Sequence, residues 1–470
     1  MLGLRVLLYC ALVSWSAAQV QRRLGKLQEV FAWKQVTFDI DGVLVNQDRV
    51  EPVRGRGRRQ VDPDDVWHWG AQPTEAPGGT NQNNGTTPTR VPPASATDNN
   101  GNGDENSFFI QYNNVPMGME RVGRRVFVSL PRRRYGIPST LNYIDYRGGP
   151  LPRSPPLKPY PNIRDAQDLT SVYRTRADQC GRLWMVDTGR LELRGTQRQL
   201  KTPAIVIYDL STDRQILRYE FKSTDLPAEN TPTGLASITV DITNNDCANA
   251  YAYVPDLTTF GLIVYSLREN DSWRHQHNYF SFNPVAGNLF IADQSFQWSD
   301  GVFSVTLVPG SGGCKNAFFH SLIGTDEFSV STCVLKNRTA MNDPNYFSMY
   351  SVVGNRGERS QTTMHDYHPA TGVIFYAEIG RDSLACWNTA QALRSTNVAI
   401  LARDTRLLSY PSDLHVTGDE VWVMANTLPR FGYSRFDTNE YNFYIYKARV
   451  QDIVAGTVCG ESMQNSVWST

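Results

Sequence analysis

From Tyr112 onward, hydrophobic and polar positions alternate in short runs of β-branched and aromatic residues, separated by glycine, proline, asparagine and aspartate. Such alternation is typical of β-strands that bury one face, and helical periodicity is nearly absent. One phrase occurs six times: a turn with glycine or a charged residue, then an apolar strand with a central aromatic residue. The six aromatic residues are Phe127, Trp184, Tyr253, Phe303, Phe375 and Trp422.

This repeat predicts an all-β fold, a six-bladed β-propeller with a ligand channel along its central axis. Further apolar segments follow several of the phrases, so each repeat holds about four strands, the content of one blade. An array of two-sheet sandwiches is the alternative. We favour the propeller because the aromatic phrase occurs six times. Residues 30–40 alternate well enough to complete the last blade from the N-terminal side.

Composition divides the rest of the chain. An apolar run too short to span a bilayer, followed by a small-residue cleavage site, predicts a secretory signal peptide at the N-terminus. A long stretch rich in Gly, Pro, Asn and Thr has too few apolar residues to fold, which predicts a disordered insertion. Its basic run 56–59 is either a processing site or a solvated charge run. The expected segments are the signal peptide 1–18, the closing strand region 24–50, the insertion 51–107, the propeller 108–459 and the tail 460–470.

Charge and secretion limit the partners of the protein. The chain has 46 basic and 46 acidic side chains, so no bulk field attracts nucleic acid. We find no later apolar segment that is long enough for a membrane span. The protein is therefore expected to be secreted, and Asn84, Asn270 and Asn337 lie in Asn-x-Ser/Thr sequences that predict surface glycans.

Six cysteines remain after the signal peptide, and an even number in a secreted chain predicts disulfides. No close Cys-x-x-Cys pair exists that would indicate zinc. The first two cysteines occupy equivalent turns of successive repeats, the next two bracket a hairpin, and the last two remain. The predicted pairs are Cys180–Cys247, Cys314–Cys333 and Cys386–Cys459.

Longer motifs add a family likeness. The chain resembles the Yellow / major royal jelly protein family of insects, and most closely its Yellow-f type, from about residue 25 to residue 459. The motifs that carry the resemblance are SVYRTRADQCGRLWMVDTG, GLASITVDI, AYVPDL, STLNYID, FQWSDGVFSVTL, TTMHDYHPATGVIFYAE, CWNT and YPSDL. The insertion and the local pair Cys314–Cys333 depart from the family pattern. The resemblance implies a secreted six-bladed propeller with a central pocket for a small aromatic molecule, such as dopachrome, a catecholamine or an indoleamine.

The repeat register also predicts a site, since the residue just before each inner strand of a propeller faces the channel. These positions hold Glu120, Arg174, Ala236 with Ser237, Gln294 with Ser295, Thr362 with Thr363, and Asp413. A carboxylate can take a proton and an arginine can bind a carboxylate bidentately, which suits a zwitterionic catechol derivative. We predict Glu120 and Asp413 as catalytic, and Arg174, Ser237, Thr362 and Thr363 as ligand contacts. Alternatively, the two acids form buried pairs with neighbouring arginines.

Three further residues are candidates. His365, in HDYH, is expected near the channel mouth as a general base, since its ordinary pKa suits proton transfer near neutrality. Trp387 and Asn388 follow Cys386, whose disulfide would hold their loop, and the indole could stack on an aromatic ligand.

A metal cofactor is not expected. His365 with His368, and His275 with His277, could each supply two ligands, but neither pair has an obvious third. The spacing around the two catalytic carboxylates resembles the metal-binding blades of lactonase-type propellers. Ala236 and Ser237 stand where those enzymes place further oxygen ligands, which leaves at most a weak calcium site.

The family resemblance implies an enzyme that converts dopachrome to dihydroxyindoles in melanin formation, a tautomerisation that needs a base and a carboxylate clamp but no cofactor. Two alternatives stay open. The same pocket could bind catecholamines or indoleamines without turnover, or the protein could have a structural role in cuticle and pigmentation.

Overall fold

The computed structural model describes residues 22–53, 107–147, 151–193, 196–228 and 231–460. The predicted signal peptide, Asn84, the basic run 56–59 and most of the insertion and tail lie outside these ranges. The N-terminal strands are β1 (Arg23–Leu24), β2 (Leu27–Trp33), β3 (Phe38–Ile40) and β4 (Val43–Val45).

Six antiparallel sheets follow one another along the chain. Blade one contains β5 (Gly118–Val122), β6 (Arg125–Ser129), β7 (Leu141–Asp145) and β8 (Lys158–Pro159). Blade two contains β9 (Val172–Ala177), β10 (Arg182–Asp187), β13 (Ala204–Asp209) and β14 (Arg214–Glu220), with the hairpin β11 (Arg190–Leu193) and β12 (Thr196–Gln199) inserted. Blade three contains β15 (Thr239–Ile242), β16 (Ala250–Asp256), β17 (Gly261–Ser266) and β18 (Asp271–Gln276), and the hairpin β19 (Asn288–Ile291) and β20 (Gln294–Gln297) follows it.

The second half of the chain continues this pattern. Blade four contains β21 (Val302–Pro309), β22 (Lys315–Ser321), β23 (Asp326–Ser331) and β24 (Tyr350–Asn355). Blade five contains β25 (Thr362–His368), β26 (Val373–Glu378), β27 (Ser383–Asn388) and β28 (Val398–Arg403). Blade six contains β29 (Pro411–Thr417), β30 (Glu420–Ala425) and β31 (Phe443–Arg449), and β2 and β1 pair beyond β31 to complete it.

Helices are few and short. The α-helices are α1 (Thr332–Lys336), α2 (Leu428–Tyr433) and α3 (Val450–Val454). The 3₁₀ helices are Gln111–Asn113, Asp165–Asp168, Asn278–Phe280, Pro284–Ala286, Ala340–Asn342, Tyr346–Met349 and Ser395–Asn397. Within the described ranges, no helix is long and apolar enough to cross a membrane.

The six first strands form a closed ring around a central axis, which we call the hub. Each of β5, β9, β15, β21, β25 and β29 packs against the next, and β29 packs against β5. The fold is therefore mainly β with the six-bladed propeller arrangement that the repeat predicts.

Aromatic residues fill the space between blades, as expected for strands whose two faces are both buried by neighbouring sheets. Trp184 on β10 is fully buried, and its indole N–H donates to Asp178 at 2.7 Å. Its ring meets that of Tyr265 on β17 of the next blade edge to face, 6.4 Å between centroids. Apolar clusters of this kind stabilise the contact between successive sheets.

The predicted register is wrong in blade four. Phe303 lies on the inner strand β21, whereas the other five central aromatic residues lie on second strands. The second strand here is β22, which carries Phe319. Both strands follow a turn and are apolar, so the local pattern does not distinguish them. As a consequence, Gln294 and Ser295 lie on β20 rather than at the hub.

All three predicted disulfides are confirmed: Cys180–Cys247, Cys314–Cys333 and Cys386–Cys459. Cys180 and Cys247 occupy the turns that join the first and second strands of blades two and three. The bond therefore connects adjacent blades at the end opposite to the rim that is described next.

One end of the propeller carries a rim, defined as the β6–β7 loop, the β11–β12 hairpin, the β19–β20 hairpin and α2. In antiparallel blades, the connections between second and third strands lie at the same end as those between blades. The backbone N–H of Glu192 on β11 donates to Arg132 of the β6–β7 loop at 2.9 Å. Arg430 of α2 donates to Ala292 between β19 and β20 at 3.1 Å. These contacts join the rim into one structure over the hub.

Candidate active site

Arg174 on β9 crosses the hub. Its guanidinium donates to the carbonyl of Ser412 on β29 through Nη2 and Nε, at 2.5 and 3.1 Å, and to the carbonyl of Ala236 at 2.9 Å. Its Nε lies 3.6 Å from Oδ1 of Asp413, and its guanidinium lies 4.8 Å from the Phe303 ring. Burial lowers the pKa of Arg174, although Asp413 opposes this. One side chain thus joins blades two, three and six.

Arg176, two residues further along β9, crosses the hub to the opposite side. Its Nη1 donates to Oδ2 of Asp366 on β25 at 2.8 Å and to Nδ1 of His415 on β29 at 2.6 Å. Thr306 on β21 also donates to Asp366, at 3.3 Å. Burial would raise the pKa of Asp366, but Arg176 lowers it below the ordinary value. Side chains from four inner strands therefore meet at this level.

Glu120 on β5 joins the same group. Its Oε2 lies 3.5 Å from Nδ1 of His415, is buried, and makes no hydrogen bond to a described residue. Burial raises the pKa of Glu120, although the fields of His415 and Arg176 oppose it. Burial lowers the pKa of His415, but Glu120 and Asp413 raise it further, so the net direction is upward. We call Glu120, Arg176, Asp366, Asp413 and His415 the hub cluster.

The predicted pairing of an acid with a neighbouring arginine holds for Asp413, which faces Arg174 and accepts the backbone N–H of Met119 at 2.7 Å. The predicted hydroxyl contacts are occupied by backbone. Ser237 donates to Phe303 at 2.6 Å and Thr363 donates to Pro411 at 2.6 Å, while Thr362 donates to Ser360. The side chains of Arg174 and Arg176 and these hydroxyls occupy the hub. The described residues do not show an open channel along its axis.

Two predicted ligand contacts lie elsewhere. Trp387 and Asn388 are on β27, the third strand of blade five, two strands out from the hub. The indole N–H of Trp387 donates to Gln391, and the Asn388 amide donates to the carbonyl of Cys459 at 3.2 Å. The predicted stacking of Trp387 on a hub ligand is therefore wrong, because the disulfide holds this strand to the C-terminal segment and not to the hub.

His365 also departs from its expected place. Its ring lies between blades four and five, with Nδ1 2.7 Å from Ser304 Oγ and Nε2 3.1 Å from Glu327 Oε1. The prediction that it lies near a channel mouth is wrong, because on β25 the next residue, Asp366, faces the hub and successive side chains point to opposite faces. His368, its partner in HDYH, contacts Thr371 and Asp419 instead.

A second polar group, the rim cluster, lies where the rim meets the hub: Arg133, Tyr173, Glu192, Asp300 and Tyr410. Tyr173 donates to Oε2 of Glu192 at 2.6 Å, and Nε of Arg133 lies 3.8 Å from the same oxygen. Burial raises the pKa of Asp300 to about 6, and the field of Arg133 limits the rise. Tyr173 and Tyr410 both act electrostatically on Arg174, which places the rim cluster next to the hub.

Aromatic rings and partial exposure distinguish the rim cluster from the hub. Trp298 meets Tyr410 edge to face at 6.1 Å, and its indole N–H donates to Tyr433 at 2.6 Å. The Arg133 side chain is 38% exposed, whereas that of Arg174 is 1% exposed. The Arg133 side chain at the rim is therefore more open to solvent than the Arg174 side chain in the hub.

Sequence reasoning missed the rim cluster and three of the five residues of the hub cluster. Arg176, Asp366 and His415 each lie two or three residues beyond a predicted position on the same inner strand, so a reading of alternate residues could have found them. The rim residues come from loops, a hairpin and strand ends with no common spacing, and only the fold brings them together.

Comparisons with known proteins agree with the motifs. The family profile described as Major royal jelly protein matches residues 170–459. The chain is 42% identical over 361 residues to L-dopachrome tautomerase yellow-f of Drosophila melanogaster, covering 75% of this chain and 83% of that protein. It is 33% identical over 370 residues to dopaminechrome tautomerase of the same fly, covering 75% and 78%.

A further relative is Protein yellow of Drosophila melanogaster, 36% identical over 361 residues, which covers 75% of this chain and 65% of that protein. Among solved structures, a virginiamycin B lyase from Staphylococcus aureus aligns at 9% identity and a TM-score of 0.38, over 72% of this chain and 96% of that one. That likeness is too weak to bear on function. The extent and identity of the sequence matches establish that the chain belongs to the Yellow / major royal jelly protein family.

Proposed function

We propose that this protein is a secreted tautomerase that converts dopachrome, or a closely related aminochrome, to a dihydroxyindole, and that the rim cluster is its active site. The observation that carries the proposal is a carboxyl group with a pKa of about 6, Asp300, within the field of a partly exposed arginine, Arg133, beside aromatic rings. The names of two relatives, L-dopachrome tautomerase and dopaminechrome tautomerase, support the reaction class.

The reaction is an isomerisation. A base removes a proton from the ring carbon next to the iminium nitrogen. The electron pair of that C–H bond forms a new C=N bond, and the former iminium pair moves into the six-membered ring, which becomes aromatic as one quinonoid oxygen takes up a proton. A second proton then leaves the adjacent CH2 carbon, its electron pair forms the C=C bond of the five-membered ring, and the other ring oxygen takes up a proton. No atom or electron is gained or lost overall, so the protein needs only to place a base, an anion clamp and an aromatic surface.

Asp300 suits the role of base. A carboxylate with a pKa near 6 is largely ionised at neutral pH and is more basic than an ordinary aspartate. Arg133 can bind the substrate carboxylate bidentately, because its guanidinium is 3.8 Å from Glu192 and partly open to solvent. Trp298, which is half-buried and packs edge to face on Tyr410, offers a ring for stacking on the flat substrate.

Glu120 is the second candidate for the base, as the sequence predicts. Its Oε2 makes no hydrogen bond to a described residue, and its pKa is raised by burial. A substrate that reached Glu120 would have to displace Arg174 or Arg176 from the hub. For this reason we place the substrate at the rim, with Glu120, Asp413 and Arg174 as the floor beneath it.

The test compares dopachrome consumption by the wild-type protein, D300N and E120Q, with heat-inactivated protein as the background. Loss of the base is expected to lower kcat by at least about 100-fold in D300N. E120Q is expected to retain kcat within about threefold of wild type. A large loss of kcat in E120Q with little change in D300N would assign the base to Glu120. A wild-type rate equal to that of heat-inactivated protein would refute the proposal that the protein is an enzyme.

A binding role without turnover is the alternative that the aromatic rim favours. Calorimetry with dopamine and serotonin would reveal it as binding that E120Q preserves and that Arg133 substitution weakens, with no consumption of dopachrome.

Secretion is part of the proposal, and the three disulfides support it because such bonds persist in oxidising compartments.

A further inference from the structure

Three metal-ligating side chains meet between blades four and five, away from both clusters described above. His320 lies near the end of β22, Glu327 near the start of β23, and His365 on β25. All three are buried, and one ligand atom from each lies within 4.8 Å of the others. Of the two histidines in the HDYH motif, His365 belongs to this group, together with two residues of the neighbouring blade, and His368 does not.

The three facing atoms are Nδ1 of His320, Oε1 of Glu327 and Nε2 of His365. Each is buried and makes no hydrogen bond of acceptable geometry to a described residue, although both imidazoles lie within ion-pair distance of the Glu327 carboxylate. Leaving three converging polar atoms without a partner of good geometry carries a desolvation cost for each of them. A group that accepts all three lone pairs at once would remove this cost.

The outer atom of each side chain is held in place. Nε2 of His320 lies 3.1 Å from the carbonyl oxygens of both Thr362 and Thr363, so it carries the ring proton and leaves the Nδ1 lone pair free. Nδ1 of His365 lies 2.7 Å from Ser304 Oγ. Arg356 donates to Oε2 of Glu327 at 2.7 Å. Metal-binding histidines and carboxylates are oriented by such outer hydrogen bonds.

The spacing also suits a small divalent ion. Nε2 of His365 is 3.1 Å from Oε1 of Glu327, and the three ligand atoms all lie within 4.8 Å of one another. Ligands at about 2.1 Å in a tetrahedral zinc site lie about 3.4 Å apart. The net charge opposes binding, since Arg356 offsets Glu327 and both imidazoles must be neutral. Nitrogen ligands exclude calcium and magnesium as good fits and favour zinc.

We propose that His320, Glu327 and His365 form a zinc site that joins blades four and five. Because its ligands are buried, the ion would be a structural link and not a catalytic centre. The sequence predicted no metal site. The two residues that accompany His365 lie on another blade, so the spacing of residues along the chain does not reveal them. This site is independent of the proposed tautomerase function.

The experiment measures metal in the full secreted chain, expressed in zinc-containing medium and purified through a tag without histidine. About one zinc per chain is expected by mass spectrometry. Replacement of the metal with Co²⁺ is expected to produce visible d–d absorption. H320Q, E327Q and H365Q are expected to lower the zinc content at least about tenfold.

His368→Gln is the matched control, because His368 is buried on the same strand and belongs to the same motif but bonds to Thr371. It is expected to keep its zinc. If the ligand variants fail to fold, the wild-type protein still decides: removal of zinc by a chelator should lower Tm and added zinc should restore it. Less than about 0.1 zinc per chain after equilibration with Zn²⁺, without a cobalt band, overturns the proposal, as does equal loss in H368Q and H365Q.

Discussion

Arg176 and Asp366 form a salt bridge across the hub, with 2.8 Å between Nη1 and Oδ2. They belong to blades two and five, which lie on opposite sides of the ring and share no sheet contact. The Asp366 side chain is 8% exposed and also accepts the backbone N–H of Val416 at 2.9 Å. The bridge therefore couples blades that are distant along the chain.

Removal of this bridge should destabilise the fold. In R176Q, Asp366 is left buried without its cation, so the free energy of unfolding should fall by about 3 kcal/mol. R268Q is the control, since Arg268 and its partner Asp246 are about half exposed and their pair should contribute less than about 1 kcal/mol. Denaturant unfolding of both variants tests this, and equal losses would show that the hub bridge has no special role.

Gly189, the last residue of the VDTG motif, should not tolerate a side chain. Its φ is +64°, and an added Cβ would overlap the carbonyl oxygen of Lys201. G189A should therefore shift the β11–β12 hairpin and Glu192 with it, which lowers both stability and dopachrome turnover. G123A isolates the backbone cost, about 1–2 kcal/mol, because Gly123 has φ +55° and open space around it. Unchanged turnover in G189A would contradict the placement of the active site at the rim.

Arg133 should determine substrate preference. Dopachrome has a carboxylate that dopaminechrome lacks, so R133Q should lower kcat/KM for dopachrome by about 10- to 100-fold and that for dopaminechrome by less than about threefold. R133K should lie between wild type and R133Q for dopachrome, because lysine keeps the charge without the bidentate geometry. Parallel losses with both substrates would mean that Arg133 does not contact the carboxylate.

The pH dependence of turnover should report Asp300. Since burial raises its pKa to about 6, kcat/KM for dopachrome should rise as the pH increases through about 6 and should then level off. D300N should lack this rise in its residual activity. A wild-type profile that is flat between pH 5 and pH 7 would exclude Asp300 as the base.

Asp382 should make stability depend on pH. Burial raises its pKa to about 7, and Arg359 and Arg403 oppose the rise only in part. When folding raises the pKa of a carboxyl, the folded protein binds the proton more tightly than the unfolded chain does. The stability that this group supplies is therefore complete below about pH 4 and is lost as the pH rises towards 7, by up to about 4 kcal/mol.

D382N removes this titration and should be more stable than the wild type at pH 8 but similar at pH 4. Asparagine tolerates the left-handed backbone of this position, where φ is 51°. Thermal unfolding between pH 4 and pH 8 provides the comparison. Parallel curves for the two proteins would refute the assignment.

Much of the fold follows from local patterns. The six aromatic phrases predict six blades, because each strand is buried on both faces by neighbouring sheets and must be apolar at a fixed period. Turn positions predict the disulfides, since Cys180 and Cys247 occupy the same place in successive repeats. Blade four shows the limit of this reasoning, because inner and second strands are equally apolar and Phe303 falls on the wrong one.

The sequence by itself determined the family, the number of blades, the disulfide pairs and the positions of Glu120, Arg174 and Asp413 on inner strands. Only the tertiary structure decided which polar side chains meet. Arg176 pairs with Asp366 across the hub, Asp300 lies in the electrostatic field of Arg133 at the rim, and His365 lies next to Glu327 of the neighbouring blade. The physical reason is that closure of the ring juxtaposes residues far apart in the chain, and no local period of hydrophobic burial encodes contacts between distant strands.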